Sequence, residues 1–224
     1  MQRCHNAKSD WRTQFTVKWQ TLYHWPHMTS LSSLIPTALT ADLHRFVLPG
    51  ASAPSPVAAL RVTCSALPEG GARFAFALQG RIEALRVPEQ DAPDAWPLWR
   101  HTCFEVFLSA PGEARYREYN FSPAGLWAAS AFQRYREIER ELTGHTPPPI
   151  IDTERRGDVL LLTASLPAAL LPNGSALRVG LSAVVEHDHG QIEYWALRHP
   201  VTGRADFHHP DGWTLCLDTR QVSP

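Results

Sequence analysis

The stretch Leu98-Trp99-Arg100-His101-Thr102-Cys103-Phe104-Glu105-Val106-Phe107-Leu108 decides how this chain reads. At two residues per pleat, Phe104, Val106 and Leu108 point to one side, which is dry and suited to a core. Trp99, His101, Cys103, Glu105 and Phe107 share the other side, where an indole, an imidazole and a carboxylate stand at the mouth of an apolar strand. Such a mixed face suits a strand that meets a ligand.

The pattern recurs outward from this segment. Short apolar runs bounded by turn residues fall at 59–65, 73–78, 82–87, 115–121 and 126–132, and again at 150–153, 159–165, 177–186, 191–197 and 213–218. Pro and Gly separate them, not long amphipathic helices, so the expected fold is all-β. It is an antiparallel β-sandwich of jelly-roll-like form, with about ten strands and little helix. Glu69-Gly70-Gly71 and Asp188-His189-Gly190 read as hairpin turns, the second leaving His187 and His189 as solvated residues at a tip. Residues 135–142, rich in Arg and Glu, read as a helical or irregular excursion, and one turn of helix is expected after Pro167.

Residues 1–27 carry three Trp and no recurring apolar period before a second methionine, Met28. The expected division is an N-terminal extension over 1–40, disordered or a start-site artefact, and a sandwich domain over 41–220.

With 224 residues, 44% of them hydrophobic and 19% charged, the chain has ample material for a core. A formal charge of −1 offers no field for nucleic acid or an anionic membrane, and neither is an expected partner. No apolar run reaches about 18 residues and no export signal stands at the start, so the expected location is the cytoplasm. The four cysteines are widely spaced, three within apolar runs, and read as reduced structural thiols.

Five tryptophans follow Met28: Trp96, Trp99, Trp127, Trp195 and Trp213. Flat aromatic faces serve sugars, whose C–H faces stack on rings while carboxylates, amides and Arg bond the hydroxyls. Trp99 and Trp195, each beside polar residues, are the candidates for stacking; Trp213, opening an alternating run, reads as core. A second constellation, Tyr116-Arg117-Glu118-Tyr119-Asn120-Phe121, sets Arg117 and Tyr119 on one strand face and Glu118 and Asn120 on the other. The histidines of 199–209 invite a metal, yet their spacing fits no ligand set, and no metal site is expected. No G-x-S-x-G, H-E-x-x-H, P-loop or dinucleotide turn occurs, so no catalytic residue is assigned. A glycosidase pair of Glu105 with Glu118 or Glu186 is an alternative that only their spacing decides.

In their order, the segments 98–108, 116–127, 180–186 and 194–208 resemble the bacterial DOMON-like proteins grouped with family 9 carbohydrate-binding modules. The resemblance implies a β-sandwich that binds a ligand without catalysis, sugars and haem being the ligand classes of the wider superfamily. Haem ligation by methionine and histidine lacks its methionine, because Met1 and Met28 both precede the expected sandwich. No cofactor is therefore expected, a bis-histidine haem site being the minor alternative. The resemblance points to Trp99 and Trp195 as stacking residues, with Arg100, Glu105, Tyr119 and Asn120 as polar partners of a carbohydrate or glycan-derived small molecule. A glycan-acting hydrolase and a protein-interaction module with a flat aromatic patch are the alternatives.

Overall fold

The computed structural model describes residues 38–48, 50, 54–91, 96–144 and 147–219. The expected N-terminal extension lies almost wholly outside them, as do Cys4, Met1 and Met28.

Thirteen strands form two antiparallel sheets among the described residues. One sheet holds β1 (Leu39–Asp42), β3 (Val57–Ala66), β4 (Ala72–Gly80), β10 (Val159–Leu166) and β9 (Ile150–Arg156), in the order β1-β3-β4-β10-β9. The other runs β2 (His44–Arg45), β12 (Ile192–Ala196), β11 (Ala176–Glu186), β5 (Cys103–Ser109), β6 (Tyr116–Phe121), β7 (Trp127–Arg134) and β8 (Glu137–Glu141). In this second sheet β13 (Leu215–Asp218) pairs with the first residues of β11. Helix is confined to single 3-10 turns at Ile82–Ala84, Leu98–Arg100, Ala168–Leu170 and Pro210–Gly212. Among the described residues no helix is long and apolar enough to cross a membrane.

The alternation seen in the sequence builds the core. Phe104, Val106 and Leu108 of β5 meet Phe74, Phe76 and Leu78 of β4 and Leu177, Val179 and Leu181 of β11 in one buried cluster between the sheets. Phe76 and Phe104 touch across the gap, ring centroids 4.9 Å apart. Each such side chain contributes about 1.5–3 kcal/mol by leaving water.

Three segments depart from expectation. Residues 82–87 form no strand, because β4 ends where Gly80 passes close to Pro56: a Cβ there would stand 2.1 Å from the Pro56 carbonyl oxygen. The chain then turns through Ile82–Ala84, and Leu85 makes a single bridge with His187. The excursion at 135–142 is β8, an edge strand paired with β7 alone, where charged side chains suit an open margin. The turn into it places Arg136 at φ 57, held by its backbone N–H donating to the Tyr116 hydroxyl at 3.0 Å. The strands β1 and β2 are too short to show a period, and β1 straddles the boundary expected at 40.

One end of the core is polar. Glu193 on β12, turned inward and buried, accepts hydrogen bonds from Arg45 Nη1 (2.8 Å), Ser55 Oγ (2.8 Å) and Trp195 Nε1 (3.1 Å). Three donors satisfy a carboxylate that would otherwise be costly to bury.

Candidate functional site

The outward face of the larger sheet carries the chemistry. Strand register sets Ser182 of β11 beside Glu105 of β5 and Glu105 beside Asn120 of β6; one pleat along, Gly180, Phe107 and Glu118 line up in the same way. This floor is buried as fully as the core, because residues 198–213, between β12 and β13, lie over it: Phe207 packs on Leu98, Cys103 and Val184, and Trp213 on Phe107 and Tyr116. Trp213 stacks on Phe107 with centroids 5.9 Å apart and fills the space over Gly180, where a Cβ would come within 2.0 Å of the indole. The remaining void near Phe107, Ser182, Phe207 and Trp213 is about 10 Å³, room for a water at most.

Two carboxylates occupy this floor with few donors. Ser182 Oγ donates to Glu105 Oε2 at 2.9 Å, and Asn120 Nδ2 donates to Glu118 Oε1 at 2.9 Å. Burial, then the nearby charge of Glu118, pushes Glu105 up to about 8. Burial also raises Glu118, against the pull of the Asn120 hydrogen bond. The Cys103 thiol, buried and beside both acids, is raised well above its ordinary value and stays a weak donor, 3.8 Å from Glu105 Oε1.

The covering segment is fastened by a second network. Because Arg136 N–H donates to the Tyr116 hydroxyl, the hydroxyl proton is assigned to His208 Nδ1 at 2.8 Å. Neutral His208 then carries its proton on Nε2, 3.8 Å from Glu118 Oε2. Burial, then the Arg136 charge, lowers His208 to about 4, so the ring is neutral at pH 7. Asp206 accepts from Tyr135 Oη at 2.5 Å and from Arg136 Nη2 at 2.9 Å. Burial alone raises an aspartate, yet these two hydrogen bonds outweigh it and hold Asp206 below the usual range.

The six residues named from the sequence separate into three places. Glu105 and Asn120 share the floor. Trp99, 52% exposed, and Arg100, also exposed, stand at its margin on the 3-10 turn that precedes β5, not on the strand itself; Leu98 anchors that turn on Cys103 and Val184. Tyr119 and Trp195 face the other way. Tyr119 is fully buried between the sheets, its hydroxyl donating to the Leu170 carbonyl, and Trp195 is 7% exposed in the same core, opposite Ala183. The expected convergence of Trp99 and Trp195 on one ligand is therefore corrected: strand parity puts Trp195 and half-buried Leu197 on the inner face, and it is Tyr194 that points outward. Tyr194 is 39% exposed, meets the Phe207 ring edge-on at 6.0 Å and pairs with Val184 at the floor's edge. The period of two in Glu193-Tyr194-Trp195-Ala196-Leu197 was the signal for it.

Other assignments also move. Trp213 is buried, but on the outer face and before its strand begins. Glu186 is engaged by Arg86 Nη1 at 2.8 Å and His101 Nδ1 at 2.6 Å, so it is no partner for Glu105. Of the two hairpin histidines, His189 is solvated, whereas His187 is 2% exposed. The described residues contain no methionine, and a methionine–histidine haem site does not fit them.

Solved structures share this architecture. A Bacteroides uniformis protein proposed to bind carbohydrate superposes with a TM-score of 0.57 at 15% identity, over 80% of this chain and 85% of its own. A family 9 carbohydrate-binding module from Caldicellulosiruptor kristjanssonii, solved with cellotriose, superposes with a TM-score of 0.51 at 10% identity, over 77% of this chain and 80% of its own. These likenesses establish the fold. No protein-family model matches the sequence, and neither does any curated protein.

Proposed function

We propose that the chain is a non-catalytic, ligand-binding sandwich of the DOMON-like and family 9 module kind, its ligand a carbohydrate or glycan-derived small molecule. The observation that carries this is the pair of exposed rings, Trp99 and Tyr194, at the margin of the outer sheet face, where Leu98 and Tyr194 meet Val184. Exposed aromatic faces on which a sugar ring stacks, with the exposed Arg100 beside Trp99 as a donor to hydroxyls, are the chemistry of saccharide recognition. Sugar binding by similarly folded proteins supports the same class of ligand. The proposal needs no cofactor and places the protein in the cytoplasm, in keeping with free thiols at Cys64, Cys103 and Cys216.

Hydrolysis is the weaker alternative. Glu105 and Glu118 are both buried under residues 198–213, which keeps a glycosidic bond from reaching the pair.

Titration calorimetry with glucose and cellotriose tests the proposal. Binding is expected, and Trp99→Ala and Tyr194→Ala each weaken it about tenfold or more, roughly 1.4 kcal/mol. Both rings are exposed, so melting should shift by less than about 0.5 kcal/mol in stability. No heat with either sugar, or full affinity in both variants, rejects it.

A further inference from the structure

The molecule has a second concavity, at the end of the sandwich where β11 turns into β12. Three walls meet there: residues 54–56 before β3, the turn Ile82–Ala84 after β4, and the hairpin tip carrying Asp188 and His189. Backbone bonds tie the walls together. Arg81 N–H donates to Pro56 O and Asp188 N–H to Ala84 O, each at 2.9 Å, while His187 N–H donates to Gln191 O at 2.8 Å. The close approach at Gly80 that ends β4 is what brings the first two walls into contact. The cavity is thus preformed, and its volume is about 250 Å³. Sites for drug-sized ligands run about 300–1,000 Å³, so this one suits a single small ring.

Its lining is two-sided. Pro54, Pro56 and Ala84 give an apolar side; Arg81, Asp188, His189 and Gln191 give a polar one. Asp188 is satisfied within the lining, accepting from His189 Nδ1 at 2.9 Å. Arg81 lines the cavity, is exposed and makes no ion pair with any described residue, so its guanidinium is available to an anionic ligand. Among the described residues no three metal-ligating side chains gather to hold an ion. His187, also in the lining, is buried, its Nε2 3.4 Å from Glu193 Oε1.

We infer that this cavity binds a small sugar acid. The C–H face of the ring lies on Pro54, Pro56 and Ala84, its hydroxyls meet Gln191 and Asp188, and its carboxylate takes the Arg81 fork in a bidentate pair. This site is separate from the sheet-face site and does not depend on it.

The test uses glucuronate and glucose, two rings of equal size that differ in one carboxylate, titrated into the full chain carrying Trp99→Ala and Tyr194→Ala, which disable the sheet face. Glucuronate is expected to bind at least tenfold more tightly than glucose. Arg81→Gln removes that preference, and Gln191→Ala weakens binding of glucuronate severalfold. Both substitutions sit at the surface, and an unchanged melting profile shows that the fold is kept. Equal binding of glucuronate and glucose, or a preference that survives Arg81→Gln, overturns the inference.

Discussion

The two faces of β5 are buried to the same depth by different means. On the inner face, Phe104, Val106 and Leu108 are enclosed by strands of both sheets in an apolar cluster, where the neighbouring Tyr119 hydroxyl is bonded to the Leu170 carbonyl. On the outer face, Cys103, Glu105 and Phe107 are enclosed by a connecting segment, and their neighbours are a second acid, a carboxamide and a hydroxyl. Low exposure alone does not define a core. The inner face is closed by regular pairing, whereas the outer one is closed by residues 198–213, whose hold rests on a few side-chain bonds.

Removing matched rings sets the two faces against each other most strongly. Phe104→Ala should cost about 3–5 kcal/mol in denaturant unfolding, since paired strands cannot close on the cavity. Phe107→Ala should cost less, about 3 kcal/mol or below, because Trp213 and His208, carried on the connecting segment, can settle into the gap. Equal losses would break the comparison.

The next effect belongs to the outer face alone. Glu105 carries a proton more readily when folded, with its pKa near 8 against an ordinary 4.5, so its burial costs nothing at low pH and progressively more as pH rises between those values. His208 works in the opposite sense: lowered to about 4 from 6.5, it adds stability as pH rises from 4 to 6.5 and is silent above. Above about pH 6.5 His208 no longer opposes the Glu105 contribution, with which the raised Glu118 acts in the same sense, and stability should fall toward pH 8. Glu105→Gln should flatten that window and gain on the order of 1–3 kcal/mol at pH 8. A wild-type stability that rises across this window would contradict the assignment.

The smallest effect concerns the fastening. Asp206→Asn weakens the bonds from Tyr135 and Arg136, at about 1–2 kcal/mol. Because the folded Asp206 pKa is lowered, its contribution is present above about pH 4 and disappears on further acidification. Amide exchange at 204–213 should quicken in Asp206→Asn while the amides of β4 and β5 keep their protection. Uniform quickening would mean that the segment and the core open as one unit.

How far the sequence foretold this arrangement differs between the faces in the same way. Inner-face strands were legible, because a period of two with one dry side has a single solution; Phe104, Val106, Leu108 and the alternation of β11 lie where that period puts them. That Glu105 and Asn120 share one face depends on the pairing of β5 with β6, which the period of each segment alone does not give. Trp195 was misplaced because its polar neighbours outweighed its parity with Leu197. The helix-favouring charges of β8 concealed an edge strand, since an open margin tolerates side chains that a central strand does not. Burial of the outer face was not legible at all. Nothing local to 198–213 marks it as a cover; its docking depends on Gly180 leaving room for Trp213 and on Tyr135 and Arg136 reaching Asp206 from another hairpin.

The knot of donors around Glu193 acts as a locating pin for β12. Were that strand to slide one residue along β11, Tyr194 would swing inward, Glu193 would emerge, and Arg45 would be left facing hydrocarbon without its counter-ion. A short strand beside the edge strand β2, with little apolar surface to choose between its sides, is thereby confined to one alignment. That alignment keeps the Tyr194 ring turned to solvent.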